Sequence, residues 1–149
     1  MRIQDICIHH VAQISATEPL IAAATMMRER HVGNLVVVEN TQGERKPIGV
    51  LTDRDLVIAV VAAGLSAETL VVADVMSKPV YCCSGTQSVF DAIAIMREQG
   101  VRRLPVLNET GELFGIIAAD DIWTALADQM KVLAETTARV RAREESRRV

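Results

Sequence analysis

Four consecutive residues, Thr52, Asp53, Arg54 and Asp55, lie between the apolar run 48–51 and an apolar segment that resumes at Leu56. Part of this polar stretch has a local use. Thr52 or Asp53 can cap a helix that begins near Arg54, and a carboxylate in the first turn suits the helix dipole. Capping accounts for one polar residue, or two, and leaves the guanidinium and the spaced Thr52/Asp55 pair without a task. A strand that runs directly into a helix also presents backbone N–H groups where phosphate binds readily. Asp55 can accept both hydroxyls of a ribose, Thr52 can reach the same sugar or the phosphate, and Arg54 can pair with a phosphate oxygen. The chemistry adds up to a nucleotide.

The elements that must position these residues emerge when the chain is compared with itself. The stretch from Ile3 runs without a gap over the stretch from Val72, placing Asp5 on Asp74, Val11 on Val80, Thr17 on Thr86 and Met27-Arg28-Glu29 on Met96-Arg97-Glu98. The register is 69 residues there, as Thr86 follows Thr17, and 66 at Gly49 and Gly115. Copy one therefore carries three extra residues before Gly49, and a surface turn is where such an insertion is expected.

Each copy predicts a short strand (11–15, 80–84) followed by a helix capped by Thr17 or Thr86. The apolar stripe of that helix is Leu20, Ala23, Ala24 and Met27 in one copy, and Val89, Ala92, Ile93 and Met96 in the other. Gly33 and Gly100 stand where these helices should stop. Two strands joined by a turn with Gly43 or Gly111 come next, and then a final helix. The order is β-α-β-β-α, twice. One copy of about 65 residues buries only a modest core. The expected fold is therefore α/β (α+β): two units related by a pseudo-twofold axis, packed through their sheets, with equivalent loops facing one another across a cleft. The units are placed at 1–64 and 68–128, joined near 63–71, with a helical tail at 129–149.

Tandem β-α-β-β-α units with "hPVh" strands and a closing G-h-h-T/S-x-x-D resemble a pair of cystathionine-β-synthase (CBS) domains, the Bateman module, here as a stand-alone chain. The resemblance covers nearly all of Ile3 to Leu126, and the motif is complete in Gly49-Val50-Leu51-Thr52-Asp53-Arg54-Asp55. It implies that Thr52 and Asp55 hold the ribose of AMP, ADP, ATP, NAD or S-adenosylmethionine and that Arg54 holds phosphate, with Asp53 counted among the nucleotide-binding residues. By the same analogy Val11 and Val80 flank the adenine. Arg102 and Arg103, ahead of the "LPV" strand, are expected to face the cleft. Copy two keeps Asp121 but has Ala118 for Thr and Asp120 where copy one has Arg54. A carboxylate there repels phosphate, so the second site is expected to be weak, empty or adapted to a less anionic ligand.

Composition narrows the rest. The chain has 149 residues, 50% of them apolar but 3% aromatic, so its core must be aliphatic. A net charge of −3 gives no general attraction to nucleic acid or anionic lipid. The segment from Leu56 to Leu65 is far short of the roughly 18 residues a membrane span needs, and the N-terminus has no apolar signal region. A cytoplasmic protein is expected. Cys7, Cys82 and Cys83 form no CxxC pair and read as reduced structural thiols. His9, His10 and His31 have no zinc-site spacing, Cys83 has no identifiable base, and Met26, Met27 and Met96 read as core fillers. No metal, required cofactor or catalytic residue is expected.

Trp123 is expected to pack at a helix interface. From Asp121 the chain reads as one long helix, with Leu126, Met130, Leu133, Thr137 and Val140 on a heptad-like seam that packs on the module or on a second chain. Arg139, Arg141, Arg143, Arg147 and Arg148, alternating with Glu144 and Glu145, read as a solvated face. The leading functional expectation is a homodimeric regulatory module that binds an adenosine nucleotide and signals to a protein partner without catalysis. The alternative is a structural dimerisation module with a vestigial site.

Overall fold

The computed structural model describes residues 1–41 and 43–147; of the residues discussed above, Arg148 lies outside that range. The first repeat forms β1 (Gln13–Ser15), α1 (Leu20–Arg30), β2 (Asn34–Thr41), β3 (Glu44–Thr52) and α2 (Asp53–Leu56), which runs on as a wider turn through Val57–Val61. A short helix, α3 (Val72–Val75), precedes the second repeat, which forms β4 (Cys83–Ser84), α4 (Val89–Gln99), β5 (Arg103–Leu107), β6 (Leu113–Ala118) and α5 (Ala119–Ser146). Each repeat makes a three-stranded sheet, in the orders β1-β2-β3 and β4-β5-β6, with the first pair parallel and the second antiparallel.

Aliphatic side chains close each half. Leu35, Val36 and Val37 of β2 and Leu104 and Val106 of β5 are fully buried, as their unbroken apolar runs require of strands covered on both faces. From the helices come Leu20, Ala23 and Met27 in α1 and Val89, Ala92 and Met96 in α4. Ala24 is half-buried and Ile93 is exposed, so the buried stripe is narrower than periodicity suggests.

Local chemistry differs from expectation at the helix ends. Thr17 and Thr86 do not cap the helices: their hydroxyls pair with Ser15 and Ser84 at 3.1 and 2.9 Å in tight turns, and the helices start later. At α4 the cap is Ser88, whose Oγ accepts from Asp91 N–H while Asp91 accepts from Ser88 N–H, a complete capping box. At α1 the position is Pro19, and the linker caps the helix instead, with Leu20 N–H donating to Leu70 O at 2.8 Å. Gly100 ends α4 at φ 66°, but α1 ends at His31, in the left-handed region at φ 54°, two residues before Gly33. The three extra residues of copy one also lengthen the β2–β3 hairpin, whose strands run 8 and 9 residues against 5 and 6 for β5 and β6.

The largest departure concerns the two lead-in segments. Ile3 and Cys7 lie in the core built by Val89, Leu104 and Ile117 of the second repeat, whereas Val72 lies in the core built by Leu20, Leu35 and Leu51 of the first. Each repeat thus begins by packing into the other. Ile8 pairs with Ile116 of β6 through two 2.9 Å backbone hydrogen bonds, and Ser77 pairs with Val50 of β3 at 2.8 and 3.3 Å. These crossings explain the glycines of the closing motif. A Cβ on Gly49 would stand 2.7 Å from Met76 Sδ and 3.1 Å from Ser77 O, and one on Gly115 would stand 3.0 Å from both Cys7 Sγ and Ile8 O. Only a residue without a side chain lets the crossing strand come so close.

Candidate functional site

The crossing brings the polar stretch of the first repeat against the lead-in of the second. At the β3–α2 junction Thr52 is the helix cap, and its Oγ1 accepts from Asp55 N–H at 3.2 Å. Asp55 Oδ2 answers by accepting from both Thr52 N–H and Thr52 Oγ1–H at 2.8 Å. The remaining N–H groups of the first turn are also used. Asp53 N–H donates to Gly33 O at 3.0 Å, and Arg54 N–H donates to Asp53 Oδ1 at 2.8 Å. The expectation of bare N–H groups awaiting phosphate is therefore corrected: α2 is four residues long and caps itself. Any phosphate must be held by side-chain cations. Asp55 Oδ1 has no hydrogen-bond partner among the described residues.

In front of this junction lies a cavity of about 460 Å³. Three segments wall it: Val50, Thr52, Asp53 and Arg54 at the end of β3; Ser77 through Tyr81 of the lead-in; and Gly100 through Arg103 between α4 and β5. Its volume is within the range of small-ligand sites. Of the residues singled out from the sequence, Thr52, Asp53, Arg54, Val80, Arg102 and Arg103 meet here. Asp55 stands behind Thr52, bonded to it rather than on the wall. The sequence reading missed Lys78 and Tyr81, which add a cation and the chain's one phenol. Both flank Val80, and treating the whole lead-in as one wall would have found them.

Val11 and Asp121 are not brought into this cavity. They sit at the pseudo-symmetric position: Val11 follows the segment that pairs with β6, and Asp121 Oδ2 accepts from Ala118 N–H at 2.8 Å at the start of α5. Ala119 N–H donates to Arg102 O at 2.9 Å, the counterpart of Asp53 N–H on Gly33 O. Nearby His9 meets Phe114 edge-on with ring centroids 4.7 Å apart. The second repeat thus keeps the scaffold of the first without its hydroxyl or guanidinium.

A second concavity, of about 450 Å³, is apolar and runs between α4 and α5, lined among others by Ile93, Met96, Val101, Ile122, Trp123 and Leu126. Trp123 is 76% exposed on its rim, so the helix interface expected for it is not closed within this chain. Beyond Leu126 the described part of α5 is exposed along its whole length, Met130 and Leu133 included. Burial pushes the Cys82 thiol up to about 11 and Cys83 to about 12, and it raises Cys7 as well. Such thiols hold their protons at neutral pH and are poor nucleophiles. Among the described residues no group of three or more His, Cys, Asp or Glu side chains is placed to hold a metal ion. Nor is any helix long and apolar enough to cross a membrane.

A family model described as the CBS domain matches residues 3–62 and again 72–127. An uncharacterised protein of Methanopyrus kandleri is 38% identical over 108 residues, which is 72% of this chain and 54% of that one, so the chain spans about half that relative's length. Hypoxic response protein 1 of Mycobacterium tuberculosis is 34% identical over 119 residues, 80% of each chain. A crystal structure of hypoxic response protein I with two coordinated zinc ions superposes with a TM-score of 0.72 at 33% identity, covering 83% of this chain and 98% of that one. A CBS domain protein from Pyrobaculum aerophilum, complexed with AMP, shares the fold with a TM-score of 0.72 at 24% identity, over 81% of this chain and 89% of its own.

Proposed function

The chain belongs to the CBS domain family, as a tandem pair, and from that premise we propose that it is a regulatory module without catalysis of its own, whose ligand is an adenosine nucleotide. The observation that carries this reading is the cavity at the Thr52–Asp55 junction, where the Thr52 hydroxyl and several cations meet, with the Asp55 carboxylate bonded behind that hydroxyl. Thr52 and Asp55 take the ribose, Arg54, Arg102 and Arg103 the phosphate end, and Val80 with Tyr81 the base. The fold neighbour complexed with AMP is compatible with this choice of ligand. Binding ties together β3, the lead-in and the α4–β5 loop, and a partner protein senses occupancy only if the two states of the module differ in nucleotide affinity. The test is thermal unfolding against AMP, ADP, ATP, NAD and S-adenosylmethionine. A ligand at about 100 times its Kd stabilises by roughly 2.7 kcal/mol, and that gain should vanish in Asp55→Asn. A panel in which nothing moves the midpoint would leave the junction as a helix cap.

One observation favours a second role, self-association. The seam of α5 (Trp123, Leu126, Met130, Leu133, Thr137, Val140) is apolar at all but one step, yet all of it except Leu126 is exposed. The occupant we propose is a second copy, antiparallel. That arrangement layers Met130 on Leu133 and Trp123 on Val140 and sets Asp120 against Arg141, whereas parallel helices would stack their arginine-rich ends on each other. Leu133→Glu should convert dimer to monomer in sedimentation, and a wild-type chain that is monomeric at high concentration would end this reading.

A further inference from the structure

Building on the nucleotide reading, we infer that the cavity selects a nucleoside di- or triphosphate over the monophosphate and over a cationic sulfonium ligand. Four cations, Arg54, Lys78, Arg102 and Arg103, line the cavity, and Asp53 is the one carboxylate on its wall among the described residues. That carboxylate is committed to its own chain through Arg54 N–H. Among the described residues the ion pair formed is Lys46 with Glu44, far from this site, so none of the four cations has a carboxylate counter-ion. An anion in the cavity is attracted by cations from every wall, with no carboxylate ion pair to compete for them.

The fold itself does not ask for these charges. The pseudo-symmetric counterparts of Arg54, Lys78, Arg102 and Arg103 are Asp120, His9, Gly33 and Asn34, and the same strand pairing and the same backbone hydrogen bonds form around them. One of the two pseudo-symmetric positions is therefore built with no Arg or Lys at these four places, while the other, assembled from both repeats, carries four. The cations also come from three separate segments, the α2 start, the lead-in and the α4–β5 loop. A single phosphate presents one compact anionic group, whereas two or three linked phosphates extend the negative charge toward cations on different walls. A sulfonium ligand would add positive charge to a positive site.

The experiment is isothermal titration of the full chain, in EDTA and at fixed salt, with AMP, ADP, ATP, S-adenosylmethionine and inorganic triphosphate. The expected result is affinity rising with each phosphate, by about tenfold or more from AMP to ATP, with S-adenosylmethionine weakest of the adenosyl ligands. Lys78→Ala and Arg102→Ala should each narrow the ATP-to-AMP ratio by roughly tenfold. ATP binding no tighter than AMP overturns the inference and leaves the nucleotide reading standing, as does S-adenosylmethionine binding tighter than ATP. Inorganic triphosphate binding as tightly as ATP overturns it too, because the base and ribose would then contribute nothing. If none of the five binds, both the inference and the nucleotide reading fall.

Discussion

Thr52-Asp53-Arg54-Asp55 and Ala118-Ala119-Asp120-Asp121 occupy the same place in the two repeats, and their backbones are bonded alike. The last aspartate accepts from the N–H of the first residue at 2.8 Å in both, and the second residue donates to the preceding loop at 3.0 and 2.9 Å. The difference lies in what is added. The first motif carries a hydroxyl bonded to its aspartate and a guanidinium beside the cavity; the second has a methyl and a carboxylate there. The aspartate shared by both builds the strand-to-helix corner, and in the first repeat it stands beside a hydroxyl and a guanidinium that the second repeat lacks.

The comparison can be broken at four points. The largest effect is expected from the segments that link the halves: Ile3 is fully buried in the core of the second repeat, so Ile3→Ala should cost about 2–5 kcal/mol in urea denaturation. A loss near zero would mean that the lead-in contributes nothing to that core. Next, Asp55→Ala should lose the nucleotide and also about 1 kcal/mol of capping, whereas Asp121→Ala should lose the cap alone. Equal losses of affinity at both positions, measured by titration, would remove the distinction between the sites. Third, Ala118→Thr with Asp120→Arg rebuilds the first motif in the second repeat, and binding stoichiometry should rise from one toward two per chain. An unchanged stoichiometry would assign the difference to the walls rather than to the motif.

The smallest effect concerns pH and separates α4 from α1. Hydrogen bonds from Ser88 hold the Asp91 carboxyl below its usual range. A depressed carboxylate stabilises the fold above its unfolded value, and the contribution disappears as pH falls through the folded value. Ser88→Ala should therefore flatten the acid side of the stability profile seen by thermal melts. No matching effect is expected at α1, which Leu70 O caps without a titrating group.

The strand order, the two helices with Leu20 and Val89 stripes, the long final helix and the Thr52–Asp55 corner were all legible in the residues, because each is a pattern within one short segment. Thr17 and Thr86 misled because a hydroxyl two residues after a serine is satisfied equally well in a turn, and Ser88 with Asp91 offered the better box. Lys78 and Tyr81 escaped because nothing in their own neighbourhood marks them. They matter through Ser77 pairing with Val50, across 27 residues of chain.

By itself, then, the sequence determined a doubled β-α-β-β-α unit with one chemically complete corner and one stripped of hydroxyl and guanidinium, since propensity, capping and periodicity act over a few residues. Which half each lead-in joins was decided only in three dimensions. Ile3 and Val72 are equally apolar, and either could bury in either core; the choice rests on which packing closes both cores at once while Gly49 and Gly115 admit the crossing strands. That non-local choice gathers four cations from three segments into one cavity.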